Sequence, residues 1–555
     1  MVGIFQLFGI SFLFWMAAGF LRFVFETLAK LRDAPRSASR ITLALAAFGG
    51  IGISTSTFFL IFLGFGLAET LRAESALPAF ILASFLIWLA CIGVGAYLAT
   101  RIYIYQPYIV SALVGAGTAS SAVSLLFLAG VPMTNMLASL GWEAAWLVGT
   151  MTSALLGGHI AAALNALERE RTTKRKEAAV LSRITPEKVA VLIAAHNEEL
   201  SIGTTVRSVL KFVKPEQVFV ASDGSSDNTV DIVRSLGAYA DDIQPNKGKA
   251  GALAHVLKKK KLMDKFDAIF LLDADMQVSK DFLERALPAF DDPGTAAVTG
   301  YFDTLWPKHW IPEWRLLIPA YRIRLWRVLQ FLVRYGQTWK YINASPIVPG
   351  GCSIYRSSVL KKIEIDAPGL IIEDFNMTFE MHHKNLGISV FEPSARVLDQ
   401  EPYSIRDFTK QIKRWYLGFF QTMKRHGVWP SMFCFATYFF VFELVVSAIG
   451  FIILPFFLLE LIASGSQTLY ISVGFAGYTI TLLGIILAIL VFDYFMTIVV
   501  AMIERKPMLL FYGLFFFPIR YLEMVVFLYS IPVALFGISD GKWKSPKRIA
   551  FDKED

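Results

Sequence analysis

Ala268-Ile269-Phe270-Leu271-Leu272-Asp273-Ala274-Asp275 is the stretch whose reading decides the fold. Its apolar residues run without interruption into two carboxylates at i and i+2. A short, continuous apolar run bounded by polar residues is the pattern of a strand buried on both faces. Val189–Ala195, Gln217–Ser222 and Ala296–Tyr301 follow the same pattern. Helical patterns alternate with them. One runs on to about Phe212, and another covers Asn228–Leu236 behind the cap Asp227. Strands alternating with helices argue for an α/β domain with a parallel sheet covered on both faces. Ligands of such sheets bind beyond the carboxyl ends of the strands. Ser222-Asp223-Gly224-Ser225 and Asp273-Ala274-Asp275 fall at those ends.

Working outward, residues 180–428 are mixed and soluble-like, and apolar sequence flanks them on both sides. The chain is 55% hydrophobic and only 18% charged, whereas a soluble domain is nearer a quarter charged. Its mean hydropathy is +0.52. Residues 1–170 hold five candidate spans, at 4–24, 42–66, 77–99, 108–131 and 143–165, each near the ~20 residues that cross a bilayer. Basic residues concentrate in alternate connections: Lys30, Arg32, Arg36 and Arg40, then Arg101, then Arg169, Arg171, Lys174, Arg175 and Lys176. That asymmetry puts the N-terminus outside and the central domain in the cytosol of an integral membrane protein. Residues 429–540 carry further apolar stretches at 431–463, 469–502 and 508–537, the last interrupted by Arg520. Residues 541–555 form a basic cytosolic tail.

The net charge of +8 lies largely beside these apolar segments, where it sets topology and meets anionic lipid. It does not imply nucleic-acid binding. The three cysteines, Cys91, Cys352 and Cys434, have no metal-binding spacing and read as unpaired thiols. The N-terminal apolar stretch lacks a basic leader and reads as a first span.

The chemistry follows from the carboxylates. A departing diphosphate needs its developing charge stabilised, and a divalent cation held by hard oxygen ligands does this. Asp273 and Asp275 are the candidate ligands for Mg2+ or Mn2+. Asp223 offers a hydrogen-bond acceptor to a uracil imide. Lys249, in Asn246-Lys247-Gly248-Lys249-Ala250-Gly251, offers an ammonium to a phosphate. Glu373-Asp374 suits a different role. An attacking hydroxyl must lose its proton, and Asp374 is the candidate base with Glu373 beside it. Gln411, Arg414 and Trp415 lie about one turn apart on a helix leading to the membrane. Arg414 can meet a diphosphate, and Trp415 gives a flat face on which a sugar ring stacks.

Taken in order, Ala195-His196-Asn197-Glu198-Glu199, Asp223-Gly224-Ser225, Gly248 to Leu253, Asp273-Ala274-Asp275, Gly350-Gly351-Cys352-Ser353, Glu373-Asp374 and Gln411 to Trp415 resemble the family 2 glycosyltransferases. The likeness covers about 188–416 and is to their membrane-embedded processive branch, which includes the cellulose, hyaluronan, chitin and poly-N-acetylglucosamine synthases. The resemblance implies a nucleotide-sugar (GT-A-like) domain inserted between two helical transmembrane regions. It implies UDP-sugar contacts at Ala195, Glu198, Asp223, Lys249, Asp273 and Asp275, with metal at Asp275 and Asp273. It also implies a catalytic base at Asp374, and acceptor or diphosphate contacts at Gly351, Cys352, Ser353, Gln411, Arg414 and Trp415. The implied partners are a UDP-sugar, a growing glycan or lipid acceptor, and membrane lipids, in the plasma membrane. The chain departs from the pattern at Ser222, where Asp is usual, at Ala254, where Asn is common, and at Ile372, where Thr is common. Five leading spans exceed the two typical of the branch, and no cyclic-dinucleotide domain trails the last apolar stretch. The expected activity is inverting synthesis and translocation of a β-linked polysaccharide. Transfer of one sugar to a membrane lipid is the alternative, and a transporter or scaffold with a degenerate nucleotide site is the non-enzymatic one.

Overall fold

The computed structural model describes residues 183–306, 313–463 and 482–537, residues 107–128 and 148–159, and scattered positions before 163. The candidate spans at 4–24, 42–66 and 77–99 lie largely outside these residues, as do parts of 143–165 and 469–502 and the whole of the tail. The chain forms two compact units, one of Met1–Phe20, Ala179–Leu469 and Leu482–Asp555, the other of Leu21–Ala178 and Tyr470–Thr481. In the second, helix α1 (Pro107–Leu128) occupies the expected fourth span.

The first unit is built on one eight-stranded sheet: β1 (Val189–Ala195), β2 (Val218–Asp223), β3 (Tyr239–Ile243), β4 (Ala268–Asp273), β5 (Met276–Val278), β6 (Thr295–Thr304), β7 (Cys352–Arg356) and β8 (Ile388–Asp399). Their spatial order is β3-β2-β1-β4-β7-β6-β8-β5. The expected parallel sheet holds for β3, β2, β1 and β4. Beyond β4 the sheet is mixed, because β7 enters antiparallel to both β4 and β6, and β5 pairs antiparallel with β8. This reversal brings the start of β7 to the edge where β4 ends: Leu272 pairs with Cys352, and Asp273 N donates to Gly351 O at 3.0 Å. In register, Ala195 lies opposite Ser222 and Ala194 opposite Asp273, so the β1, β2 and β4 termini share that edge.

Alternation along the strands fills two cores. Val191, Ile193, Val220, Phe270 and Leu272 face Val206 and Val209 of α2 (Ile202–Val209) and Phe282 of α5 (Phe282–Ala286), whereas α3 (Thr229–Ser235) covers β2 and β3. Leu192, Phe219, Ala221, Ile269 and Leu271 face Leu253 and Val256 of α4 (Gly248–Lys259) and Met377 and Met381 of α7 (Glu373–His383). Both faces are covered, as the uninterrupted apolar strands require.

Helix α6 (Leu317–Val328) runs into a π turn at Leu329–Arg334. α8 (Ile405–His426) follows β8, and α9 (Met432–Ala463), α10 (Leu482–Glu504), α11 (Met508–Gly513) and α12 (Phe516–Phe536) follow α8. Among the described residues two helical segments are long and apolar enough to cross a membrane, Met432–Ile453 and Phe516–Phe536. The last apolar stretch, interrupted by Arg520, is thus the short α11 joined to α12. The boundary expected between 428 and 429 falls inside the first unit. The helices beyond it are held to α6 by polar contacts. Arg324 of α6 and Arg520 of α12 each reach Asp493 of α10 at 2.6 Å. Arg327 pairs with Glu504, and Tyr321 donates to Glu523 of α12. Such contacts specify geometry more than they add net stability.

Phe270, fully buried, stacks on Phe282 with ring centroids 4.9 Å apart. Phe270→Ala is expected to cost about 3–5 kcal/mol, read as a lowered thermal unfolding midpoint of the purified full chain.

Candidate active site

The centre of the site is the Lys249 ammonium. It lies 2.7 Å from Asp273 Oδ1 and 2.8 Å from Glu373 Oε1. Three elements meet through it: the end of β4, the first turn of α4 and the first turn of α7. Gly248, just ahead of Lys249, has a φ of +77°, and this left-handed turn opens α4 at that point. Its two carboxylate neighbours hold the ammonium protonated, raising it above its ordinary value in spite of burial. Glu373 is buried, whereas Lys249 and Asp273 are each about one-third exposed, so the cluster reaches solvent through those two side chains.

Asp374 follows Glu373. Its Oδ2 accepts from Gly350 N at 3.0 Å and its Oδ1 from Phe375 N at 2.7 Å. Burial, with the Glu373 charge added to it, pushes this carboxyl up to about 6, while Lys249 and the two N–H donors act in the opposite sense. A carboxyl with that affinity is suited to taking a proton near neutral pH. The crossing strand leaves no room for side chains at the glycines ahead of β7. A Cβ on Gly350 would stand 3.0 Å from Glu373 Oε1, and one on Gly351 3.0 Å from Asp273 Oδ2.

Asp223 joins the same edge through the segment that carries Lys249. Its Oδ1 accepts from Lys247 N at 2.6 Å and its carbonyl from Asn246 Nδ2 at 2.9 Å. His196 Nδ1 is 2.6 Å from that carbonyl. Gly224 takes a φ of +68° and approaches Asn246 closely, which only glycine does without strain. Ala195 ends β1 beside them, and buried Glu198 accepts from Ser201 Oγ at 2.7 Å.

Asp275 is buried two residues beyond Asp273. Among the described residues no three His, Cys, Asp or Glu side chains gather as a metal-holding group. Carboxylate oxygens such as those of Asp273 and Asp275 are the hard donors that Mg2+ or Mn2+ takes. Gly351 borders the cluster, but Cys352 and Ser353 do not present side chains to it. The Cys352 thiol lies in the core, where burial pushes it well up, and the buried Ser353 hydroxyl donates to Pro349 O.

Gln411, Arg414 and Trp415 lie on α8, one turn before its contact with α7 and the residues leading into it. Gly418 abuts Ile372, Phe419 packs 5.2 Å from Phe375, and Gln421 Oε1 accepts from Ile371 N at 3.3 Å. Arg414 is half-buried. Gln411 and Trp415 share a neighbour that the motif reading missed, Arg322 of α6. Arg322 Nη2 donates to Gln411 Oε1 at 3.0 Å, and its guanidinium lies 4.6 Å from the Trp415 ring centroid. Trp326 and Glu401 complete this group. No motif marks these residues. An arginine repeated through an otherwise apolar helical run, at 322, 324 and 327, was the available signal.

A mixed α/β sheet with carboxylates and a lysine gathered at one strand edge is the arrangement expected of a nucleotide-sugar transferase domain. Residues 186–418 match the family model described as "Glycosyltransferase like family 2". The probable glycosyltransferase YdaM of Bacillus subtilis (strain 168) is 28% identical over 346 residues, covering 58% of this chain and 76% of that protein. The poly-beta-1,6-N-acetyl-D-glucosamine synthase of Staphylococcus aureus (strain COL) is 27% identical over 276 residues, or 47% of this chain, and the match spans 62% of the synthase. Among solved structures, a mannosyltransferase from Pyrobaculum calidifontis in complex with GDP-Man and Mn2+ aligns with a TM-score of 0.39 at 16% identity, covering 68% of this chain and 98% of its own. Residues 186–418 are thus similar to the family 2 glycosyltransferases.

Asp374→Asn is expected to lower sugar transfer by about 10²–10⁴-fold while donor binding persists. Nucleotide-sugar binding by calorimetry, set beside the turnover rate, separates the two; a parallel loss of binding would show that Asp374 is not the base.

Proposed function

We propose that this chain is an inverting, metal-assisted glycosyltransferase of the plasma membrane, with its catalytic domain in the cytosol. It adds sugar from a UDP-sugar to a growing β-linked polysaccharide and passes the product across the bilayer. The observation that carries the chemistry is the Lys249 bridge between Asp273 and Glu373, with the Asp374 carboxyl beside it. Asp223 and Glu198 hold the nucleoside, and Lys249 meets the diphosphate. Asp273 and Asp275 would hold Mg2+ or Mn2+, which when bound would supply charge stabilisation to the departing UDP. An acceptor hydroxyl attacks the anomeric carbon from the side opposite UDP. The new glycosidic C–O bond forms as the bond from the anomeric carbon to the phosphate oxygen breaks, and Asp374 takes the hydroxyl proton. Gln411 and Trp415 support the acceptor, and Arg414 meets the diphosphate.

Two observations support polymer growth into a membrane. α8 leads directly into the apolar α9. α8 also runs beside α12: Tyr416 and Phe420 pack on Phe527, and Lys424 Nζ donates to Leu535 O. The staphylococcal relative is named as an N-acetylglucosamine polymer synthase, which makes UDP-N-acetylglucosamine the first donor to test.

The purified full chain in lipid nanodiscs is to be given a panel of radiolabelled UDP-sugars, with Mg2+, with Mn2+ and with a chelator. A product ladder from one donor, abolished by the chelator, is expected; a single lipid-extractable product would overturn polymerisation in favour of glycolipid synthesis. The raised Asp374 carboxyl gives a second readout. The base works only when ionised, so turnover is expected to fall as pH drops through about 6 and to level off above it. A rate that rises on acidification would remove Asp374 from that role.

A further inference from the structure

Arg322 is the largest side chain fully buried in the described residues, and no catalytic carboxylate touches it. Burying an arginine is expensive unless its charge and donors are used. Here its plane lies among Trp415, Phe408 and Trp326, 4.6, 4.8 and 5.1 Å from their ring centroids. Its Nε lies 3.5 Å from Glu401 Oε2, with both side chains 1% exposed, and Trp326 Nε1 donates to the other Glu401 oxygen. Its Nη2 donates to Gln411 Oε1. One cation therefore fixes two residues of α8 a helical turn apart, Gln411 by its amide oxygen and Trp415 by its ring face. Lysine cannot reproduce this, because it has neither the planar fork nor the stacking face.

We propose that Arg322 is a positioning residue for the acceptor. It sets the orientation of Gln411 and Trp415, and Glu401 neutralises it there. The proposal rests on the transferase reading above and deepens it, because it assigns Arg322 to the acceptor step and leaves the donor step to the Lys249 cluster. Arg322 itself contacts neither sugar nor UDP.

Two variants of the full chain test this. Arg322→Lys keeps the charge and loses the fork. Arg322→Met combined with Glu401→Gln removes both buried charges together, so that no carboxylate is left uncompensated. Each is assayed twice, for UDP release to water without acceptor and for transfer to a glycan acceptor of the same sugar. UDP release and its donor KM are expected to stay at the wild-type value in at least one folded variant, while acceptor transfer falls about a hundredfold, the cost of misplacing a reacting group by an ångström or so. Adding Trp415→Ala to Arg322→Lys is expected to lower transfer no further than Trp415→Ala alone, since both act through one contact. Equal loss of UDP release and transfer in both variants, or additive losses with Trp415→Ala, would overturn the assignment. A wild-type chain that releases UDP from no UDP-sugar would overturn the transferase reading itself, and this inference with it.

Discussion

One ammonium between two carboxylates organises this molecule. Lys249 ties the end of a central strand to the first turn of the helix that carries Asp374. Without a cation at that point, Asp273, Glu373 and Asp374 would concentrate negative charge at one strand edge, where burial magnifies repulsion. The bridge neutralises part of that charge and leaves one carboxyl with a raised proton affinity. Glu373 and Asp374 also sit in the first turn of α7, where the helix dipole favours anions.

The reversal of β7 makes this arrangement possible. In a wholly parallel sheet the segment ahead of the strand beside β4 would lie at the opposite edge, and Gly350 and Gly351 could not face Asp273. Because β7 runs backwards, its two leading glycines pass directly under the carboxylates. Gly350 contributes its N–H to Asp374, and Gly351 its carbonyl to the Asp273 N–H. The side chains that follow, Cys352 and Ser353, turn into the packed interior.

The strands were legible in the sequence because burial on both faces demands unbroken apolar runs, and Val189–Ala195 matches β1 residue for residue. The carboxylate clusters were legible because they end those runs. The direction of β7 was not, since an isolated apolar segment carries no sign of its pairing. Arg322 escaped for a different reason. It acts through contacts 79 and more positions away in the chain, at Glu401, Gln411 and Trp415, and a local pattern cannot encode them.

The polar contacts of α6 have a practical corollary. Arg324, Arg327 and Tyr321 find their partners on Asp493, Glu504 and Glu523, all beyond residue 480. A water-soluble fragment cut after α8 would keep the sheet and every active-site carboxylate, yet would strand two guanidinium groups and a phenol against vacated surfaces. The same helix holds Arg322, so trimming the C-terminal helices would loosen its hold on Gln411 and Trp415. The sheet-bearing half is not a cassette that can be lifted from the apolar helices that follow it.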